Sequence, residues 1–339
     1  MKAVRYFGPG QPFRLVEVPK PDPQTGEVRV SIRAAGMCHT ELHFESGLLN
    51  LGVAPLTMGH EIAGTIDAVG AGVDEVRIGD RVLVYYYAGC GSCEWCQGGD
   101  ENLCGSLKAE YGFFNDGGYA PYITIPERNA VTLPDAVSFE AAAPIGCGVT
   151  TAVHACRLAE VKAGHTVAVY GVGTVGYGLI QVAGLAGARV IGVGRTPAKL
   201  RLARELGAAD VIDASGQTDV AGAVREATGG RGADVVFELV ATAETMEQAS
   251  RMLAKRGRLV FIGYSEDAYS VHPIQLVLGE TIVTASVGNT LAELEHAVRL
   301  VADGRVRTIV DQALPLQRWE EGYRALKEGS SIGRVVLVP

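Results

Sequence analysis

This sequence predicts an α/β chain of two parts, one β-rich and one built as a doubly wound parallel sheet. Three observations carry that reading. Short apolar runs broken by glycine and proline fill residues 1 to about 145. From about 149 to 287, strand-like and helix-like runs alternate instead. The first of those alternations is joined by a glycine-rich turn of the kind that cradles phosphates. At 339 residues the chain is long enough for two ordinary domains, and 47% hydrophobic residues with 44 glycines suit packed sheets with many tight turns.

In the first part the clearest strands are Val28 to Ile32, Ile62 to Val69 and Arg81 to Tyr87, apolar runs bounded by turn formers. In the second, Thr166 to Tyr170, Arg189 to Val193, Val211 to Asp213, Asp234 to Leu239 and Arg258 to Ile262 read as strands. Gly176 to Ala186, Pro197 to Leu206 and Ala243 to Leu253 read as the helices between them, and a further helix begins near Thr150. Strands joined through crossover helices pair in parallel. The tail adds helices at Leu291 to Ala302 and near Gln317 to Glu328, separated by a proline-marked turn, and a short strand at Val335 to Val338.

A formal net charge of -8 and a pI near 5.5, with no cluster of Lys and Arg, argue against a nucleic-acid partner. No uncharged apolar stretch is long enough for a membrane span, and Met1 to Gln11 lacks the basic flank and apolar run of a secretion signal. The expectation is a cytoplasmic protein without a membrane partner. Seven cysteines in such a chain read as thiolates for metal or catalysis rather than as disulfides.

Cys90, Cys93, Cys96 and Cys104 stand at C-x2-C-x2-C-x7-C spacing among Gly89, Gly91, Gly98 and Gly99. Four thiolates this close can enclose one zinc tetrahedrally, which leaves no open position and makes the site structural. An iron-sulfur cluster or unrelated cysteines are the plainer alternatives. A second, dispersed set comprises Cys38, His60 with Glu61, and Cys147. Two sulfurs and an imidazole leave the fourth zinc position open for chemistry, with Glu61 an occasional or outer ligand. Taken singly, Cys147 would serve equally well as a small buried hydrophobe, and Cys156 has no partner by spacing.

Thr166 to Ala186 reads as a strand, then Gly171-x-Gly173-x-x-Gly176, then an apolar helix. The glycines permit a tight turn, close approach of backbone to a pyrophosphate, and close helix-strand packing. The helix start at Thr174 and Val175 attracts the phosphate charge. At the end of the next strand, where an NAD enzyme places Asp or Glu on the ribose, stand Gly194, Arg195 and Thr196. Without that carboxylate a 2′-phosphate is not repelled, and Arg195 and Thr196 can hold it. NADP is therefore favoured, with NAD the alternative if Arg195 is merely solvated or stacks on adenine.

Gly59-His60-Glu61-x2-Gly64-x5-Gly70-x2-Val73, Gly36-Met37-Cys38-His39-Thr40 and the four-cysteine lobe together resemble the zinc-containing medium-chain alcohol dehydrogenases, over essentially the whole chain. The resemblance implies a GroES-like catalytic domain at 1–148 and 288–339, with a structural zinc lobe at 88–106, and a Rossmann dinucleotide-binding domain at 149–287. It implies two zincs per chain, the catalytic one on Cys38, His60 and Cys147 beside Glu61. Thr40 would touch the substrate oxygen and His43 would be the terminal proton acceptor. His39 and Arg334 would approach the cofactor pyrophosphate, Lys199 the adenosine side, and Ile262, Gly263, Tyr264 and Val287 the nicotinamide. Tyr86, and one side at most of the Tyr85-Tyr86-Tyr87 triplet, would line the substrate pocket, because strand alternation sends neighbours to opposite faces. Glu41 departs from the Asp that the family commonly uses to orient the zinc-bound histidine.

The reaction implied is reversible hydride transfer between an alcohol and NAD(P), with the proton leaving by way of Thr40, the cofactor ribose and His43. Cys147, where the polyol branch often has Glu, leans toward simple alcohols. The alternatives are a polyol dehydrogenase, a zinc-free quinone or enoyl reductase, which would have no use for the dispersed ligands, and a zinc or redox-sensing module. A homodimer or homotetramer is expected, with Thr281 to Val287 as an edge strand that can extend a sheet across it.

Overall fold

The computed structural model describes residues 1–339. They form two compact units, Met1–Cys147 together with Asn289–Pro339, and Gly148–Gly288. In the first, strand Glu27–Gly36 is the hub of a seven-stranded sheet, pairing with Glu61–Val69, Tyr122–Pro126 and Arg334–Val338. Buried and half-buried residues alternate over its first six positions, so one face packs on the core, while its last three residues are all buried. Arg81–Val84 and Ala130–Thr132 extend the sheet beyond Glu61–Val69. Val310–Pro315 closes the other edge, parallel to Arg334–Val338 and joined to it through helix Trp319–Glu328.

The second unit carries six parallel strands in the order Asp210–Asp213, Arg189–Gly194, Thr166–Tyr170, Ala233–Glu238, Leu253–Phe261 and Ile282–Ala285. Chain order reverses beside Thr166–Tyr170, the switch point at which open parallel sheets bind ligands outside their carboxyl ends. Ala168, Ile191, Val193, Val236 and Leu259 are wholly buried there. Each of the larger side chains contributes about 1.5–3 kcal/mol by leaving water.

Two expected elements differ. Arg81 to Tyr87 is not one strand: Arg81–Val84 stops, and Tyr87–Ala88 pairs separately with Ala109–Glu110. The Asn129 side-chain amide donates to the Tyr85 and Tyr87 carbonyls at 2.7 Å each, taking acceptors that a strand ladder would use. All three tyrosines are buried, so simple alternation does not sort them into inner and outer faces. Helix Ala243–Arg251 ends before Leu253, where the next strand begins. That strand runs through the polar Lys255-Arg256-Gly257, with Arg256 at φ 59°, so an apolar-run reading finds it only from Arg258 onward. Helices Thr40–Ser46, Val220–Ala227 and Pro273–Gly279 also went unmarked by periodicity, being only two turns long. No helix is long and apolar enough to cross a membrane.

Candidate active site and metal centres

Strand pairing gathers the dispersed ligands. Glu27–Gly36 ends two residues before Cys38, and its register pairs Gly36 with Glu61, next to His60. The turn Ala143–Gly146 packs on the same strand end, where a Cβ on Gly146 would lie 3.7 Å from Glu61 Cα, and delivers Cys147. The candidate ligand atoms of Cys38, His60, Glu61 and Cys147 consequently lie within 4.8 Å of one another. Gly36 is required for this approach, since a Cβ there would sit 2.0 Å from Glu61 Oε2.

Charge in the cluster is arranged around sulfur. Cys147 Sγ stands 4.0 Å from Cys38 Sγ. A hydrogen bond from Cys147 holds the Cys38 thiol well below its usual pKa, aided against burial by Arg334 and His60, and the same pairing drives Cys147 upward. Burial alone would depress His60, yet the Cys38 thiolate reverses this and carries it up to about 9. Burial pushes Glu61 up to about 7, with Arg334 pulling against it through an ion pair at 2.7 Å. Arg334 is itself buried and donates to the Met37 carbonyl at 3.0 Å. His60 Nδ1 is buried without a hydrogen-bond partner, a costly arrangement unless something else satisfies the imidazole. Two sulfurs and an imidazole at this spacing suit zinc, so the residues fit the metal.

Glu41 is fully buried and accepts from the Cys38 amide at 2.8 Å and from the Tyr119 hydroxyl at 2.9 Å. The extra methylene relative to Asp thus ties the carboxylate to the backbone of one candidate ligand rather than to the His60 ring. Tyr119, whose hydroxyl also lies 3.1 Å from the Gly36 carbonyl, had no signature in the sequence beyond the Gly117-Gly118 pair before it.

In the lobe, Cys90 Sγ lies 3.9 Å from Cys96 Sγ, and Cys93 Sγ lies 3.7 Å from Cys104 Sγ. Backbone amides point at the sulfurs: Ser92 and Cys93 donate to Cys90, and Cys90 and Ser106 donate to Cys104, at 3.3–3.4 Å. The Ser92 amide is the chief reason that the Cys90 thiol falls to about 5. Amides aimed at clustered thiolates are what a four-sulfur metal site needs. Buried Glu101 braces the lobe, accepting from the Gly89 amide at 3.1 Å and pairing with Arg128. Trp95, between Cys93 and Cys96, is 43% exposed.

In the second unit Gly171 takes φ 114°, and Gly176 packs so tightly that a Cβ would lie 2.3 Å from the Gly171 carbonyl oxygen. Gly173, which precedes helix Thr174–Leu185, has open space where a Cβ would be, and no side chain caps the helix. Uncapped amides facing open space at a helix start fit a pyrophosphate. Gly194 is buried at the end of its strand, whereas Arg195 and Thr196 are exposed. Lys199 lies on helix Pro197–Glu205. Ile262, Gly263, Tyr264 and Val287 follow the carboxyl ends of adjacent strands, the same end as the glycine turn.

Around the first cluster, Thr40 Oγ1 lies 3.6 Å from Cys38 Sγ, His39 is exposed, and His43 is half-buried on helix Thr40–Ser46. Burial, followed by repulsion from His39, lowers the His43 pKa. The Tyr86 ring stands 5.4 Å from the His60 ring, with Phe113 against both at 5.9 and 5.1 Å. Phe113, just after the strand Ala109–Glu110, belongs to this neighbourhood, and nothing in local periodicity ties it to His60.

The family model described as "Alcohol dehydrogenase GroES-like domain" matches residues 24–135, and "Zinc-binding dehydrogenase" matches residues 174–303. An alcohol dehydrogenase of Geobacillus stearothermophilus is 36% identical over 329 residues, covering 96% of each chain. An NAD-dependent alcohol dehydrogenase of Sulfurisphaera tokodaii is 34% identical, covering 100% of each. The crystal structure of the alcohol dehydrogenase from Aeropyrum pernix superposes with a TM-score of 0.94 at 32% identity, again over 100% of both chains.

Proposed function

Because the chain belongs to the zinc-containing medium-chain alcohol dehydrogenase family, we propose that it interconverts primary or secondary alcohols and their carbonyl products with NADP as preferred dinucleotide. It would hold one zinc on Cys38, His60 and Cys147, with Glu61 beside it, and a second in the cysteine lobe. The observation that carries this is the convergence of two sulfurs and an imidazole from three distant points of the chain. When bound, zinc supplies Lewis acidity that eases ionisation of a hydroxyl, and the dinucleotide supplies the hydride acceptor. Thr40 Oγ1 receives the substrate proton, and His43 exchanges it with solvent.

The lowered pKa of His43 keeps its imidazole neutral, and able to accept, down to lower pH than an exposed histidine. His43→Gln should therefore slow turnover by roughly one to two orders of magnitude, most of all just above that lowered pKa, where hydroxide is scarce. Added buffer base should restore the rate, and a pH profile unchanged by the substitution would remove His43 from the path.

The dinucleotide preference rests on Gly194-Arg195-Thr196. No carboxylate stands at the strand end, and a Cβ on Gly194 would lie 2.4 Å from Val172 Cγ2, so packing itself holds the position to glycine. The Sulfurisphaera relative is NAD-dependent, which makes the coenzyme comparison the decisive experiment. Initial rates should favour NADP over NAD, and Arg195→Ala should lower kcat/KM for NADP by about 10- to 100-fold with little change for NAD. NAD ahead by more than about tenfold, roughly 1.4 kcal/mol, overturns the preference.

The adenosine, pyrophosphate and nicotinamide contacts assigned to Lys199, His39, Arg334, Ile262, Gly263, Tyr264 and Val287 stand on the same footing, as does a cytoplasmic homodimer or homotetramer. The edge strand Ile282–Ala285 and the exposed Val277 and Leu278 beside it support self-association.

A further inference from the structure

We propose that Tyr119 is a positioning residue for the candidate zinc centre: its hydroxyl holds the Glu41 carboxylate on the Cys38 amide and so fixes the turn that presents the Cys38 sulfur. The inference rests on the zinc alcohol dehydrogenase reading and gives that centre a support acting through a cysteine, where the family commonly uses an Asp to orient the histidine.

The Tyr119 segment is stitched to the chain just before His60. The amides of Gly117, Gly118 and Tyr119 donate to the carbonyls of Thr57, Gly59 and Met58, at 2.8, 2.7 and 2.8 Å. Both glycines are needed for this closeness, since a Cβ on Gly117 would lie 2.2 Å from the Gly59 oxygen and one on Gly118 2.5 Å from Ile62 Cγ1. Gly59, at φ 95°, leaves the space that the buried Tyr119 ring fills: a Cβ there would stand 2.5 Å from ring carbons Cδ1 and Cε1. The ring therefore rests on the residue next to His60.

The hydroxyl reaches the other side of the centre. It lies 2.9 Å from Glu41 Oε1 and 3.1 Å from the Gly36 carbonyl oxygen, and its single proton goes to the carboxylate, the stronger acceptor. The second carboxylate oxygen, Glu41 Oε2, accepts from the Cys38 amide at 2.8 Å. One tyrosine thus joins three pieces of backbone: the end of strand Glu27–Gly36, the turn from Cys38 to Glu41, and the run from Thr57 to Gly59. Cys38 and His60, two of the three candidate ligands, lie on or directly beside those pieces. Glu41 is wholly buried, so a carboxylate deprived of the hydroxyl has no water to replace it and must shift, taking its hold on the Cys38 amide with it. Residues that orient a ligand from behind in this way commonly govern metal affinity by 10- to 100-fold.

The test is chelator competition on the purified zinc-loaded enzyme, in the parent, Tyr119→Phe, Glu41→Ala and the double variant. The zinc missing from His60→Ala identifies the first centre, and the lobe zinc of the same molecule is the internal control. Tyr119→Phe should weaken the first centre by about 10- to 100-fold and leave the lobe unchanged. Glu41→Ala should weaken it at least as much, and adding Tyr119→Phe to Glu41→Ala should cost no more than about a further twofold, because the hydroxyl acts through that carboxylate. Equal loosening of both zincs in Tyr119→Phe would mean a general structural role and overturn the proposal. Losses that multiply in the double variant, or a first centre as tight as in the parent, overturn it as well. If the parent holds no zinc that depends on His60, the fault lies in the underlying reading; if it holds that zinc and Tyr119→Phe keeps it equally well, the fault lies with Tyr119.

Discussion

His60→Ala is expected to lose on the order of a thousandfold or more in kcat, about 4 kcal/mol in the barrier, while its fold is retained. His60 contributes the imidazole of a cluster whose other members are sulfur and carboxylate, and the residues that build the surrounding sheet are untouched by its removal. Truncation leaves two sulfurs and a Glu61 already engaged by Arg334, without the imidazole that completes the set of three donors. Metal analysis should accordingly fall from two zincs per chain to one, with the remaining ion in the lobe. Cys147→Ser should behave the same way. A variant that kept its rate, or kept two zincs, would mean that these side chains do not activate the substrate, and the zinc-free reductase reading would gain what this one lost.

The lobe should respond in the opposite sense. Cys93→Ser combined with Cys104→Ser removes two of four sulfurs within ligand distance of one another, together with the acceptors of the Cys90 and Ser106 amides. A segment with little regular structure, a five-residue helix and a single 3₁₀ turn, then keeps the Glu101–Arg128 brace but loses the ion at its centre. Loss of a structural metal reaches on the order of 4–5 kcal/mol, which at about 2–4 °C per kcal/mol amounts to roughly 10 °C or more in Tm. Limited proteolysis should cut within residues 88–106 first. Residual activity measured well below the new Tm should survive in part, since Cys38, His60 and Cys147 lie elsewhere. An unchanged Tm would show that the four cysteines do not anchor a structural ion.

What the sequence disclosed follows the range of the interactions. The four lobe cysteines fall within fifteen positions, and the glycine turn lies between one strand and its helix, so spacing alone identifies both. Cys38 and Cys147 are 109 residues apart, and they became legible only through their neighbours, the Gly59-His60-Glu61 motif above all. Where a contact depends on tertiary packing without such a motif, the sequence is silent. The pairing of Arg334 with Glu61 and Met37, the capture of the Cys38 amide by Glu41, and the break in the strand at Tyr85-Tyr86 are of that kind. Apolar periodicity likewise finds the strand Leu253–Phe261 only from Arg258 onward, because Lys255-Arg256-Gly257 sit in a break in its register with Ala233–Glu238.

The hydrogen bond from Arg334 to Met37 spans 297 positions, and nearly half of that stretch is the uninterrupted second unit. During synthesis the nucleotide-type unit can complete its own parallel sheet from consecutive chain, as domains do while the ribosome is still elongating. The first unit cannot. Its hub strand emerges early with Ala35 and Gly36 still lacking their partners on one side, and Glu61 is left without its cation until the distant strand is delivered. Competence to take up the reactive metal in its finished geometry therefore comes late in the life of the nascent chain, after the dinucleotide fold is already in place.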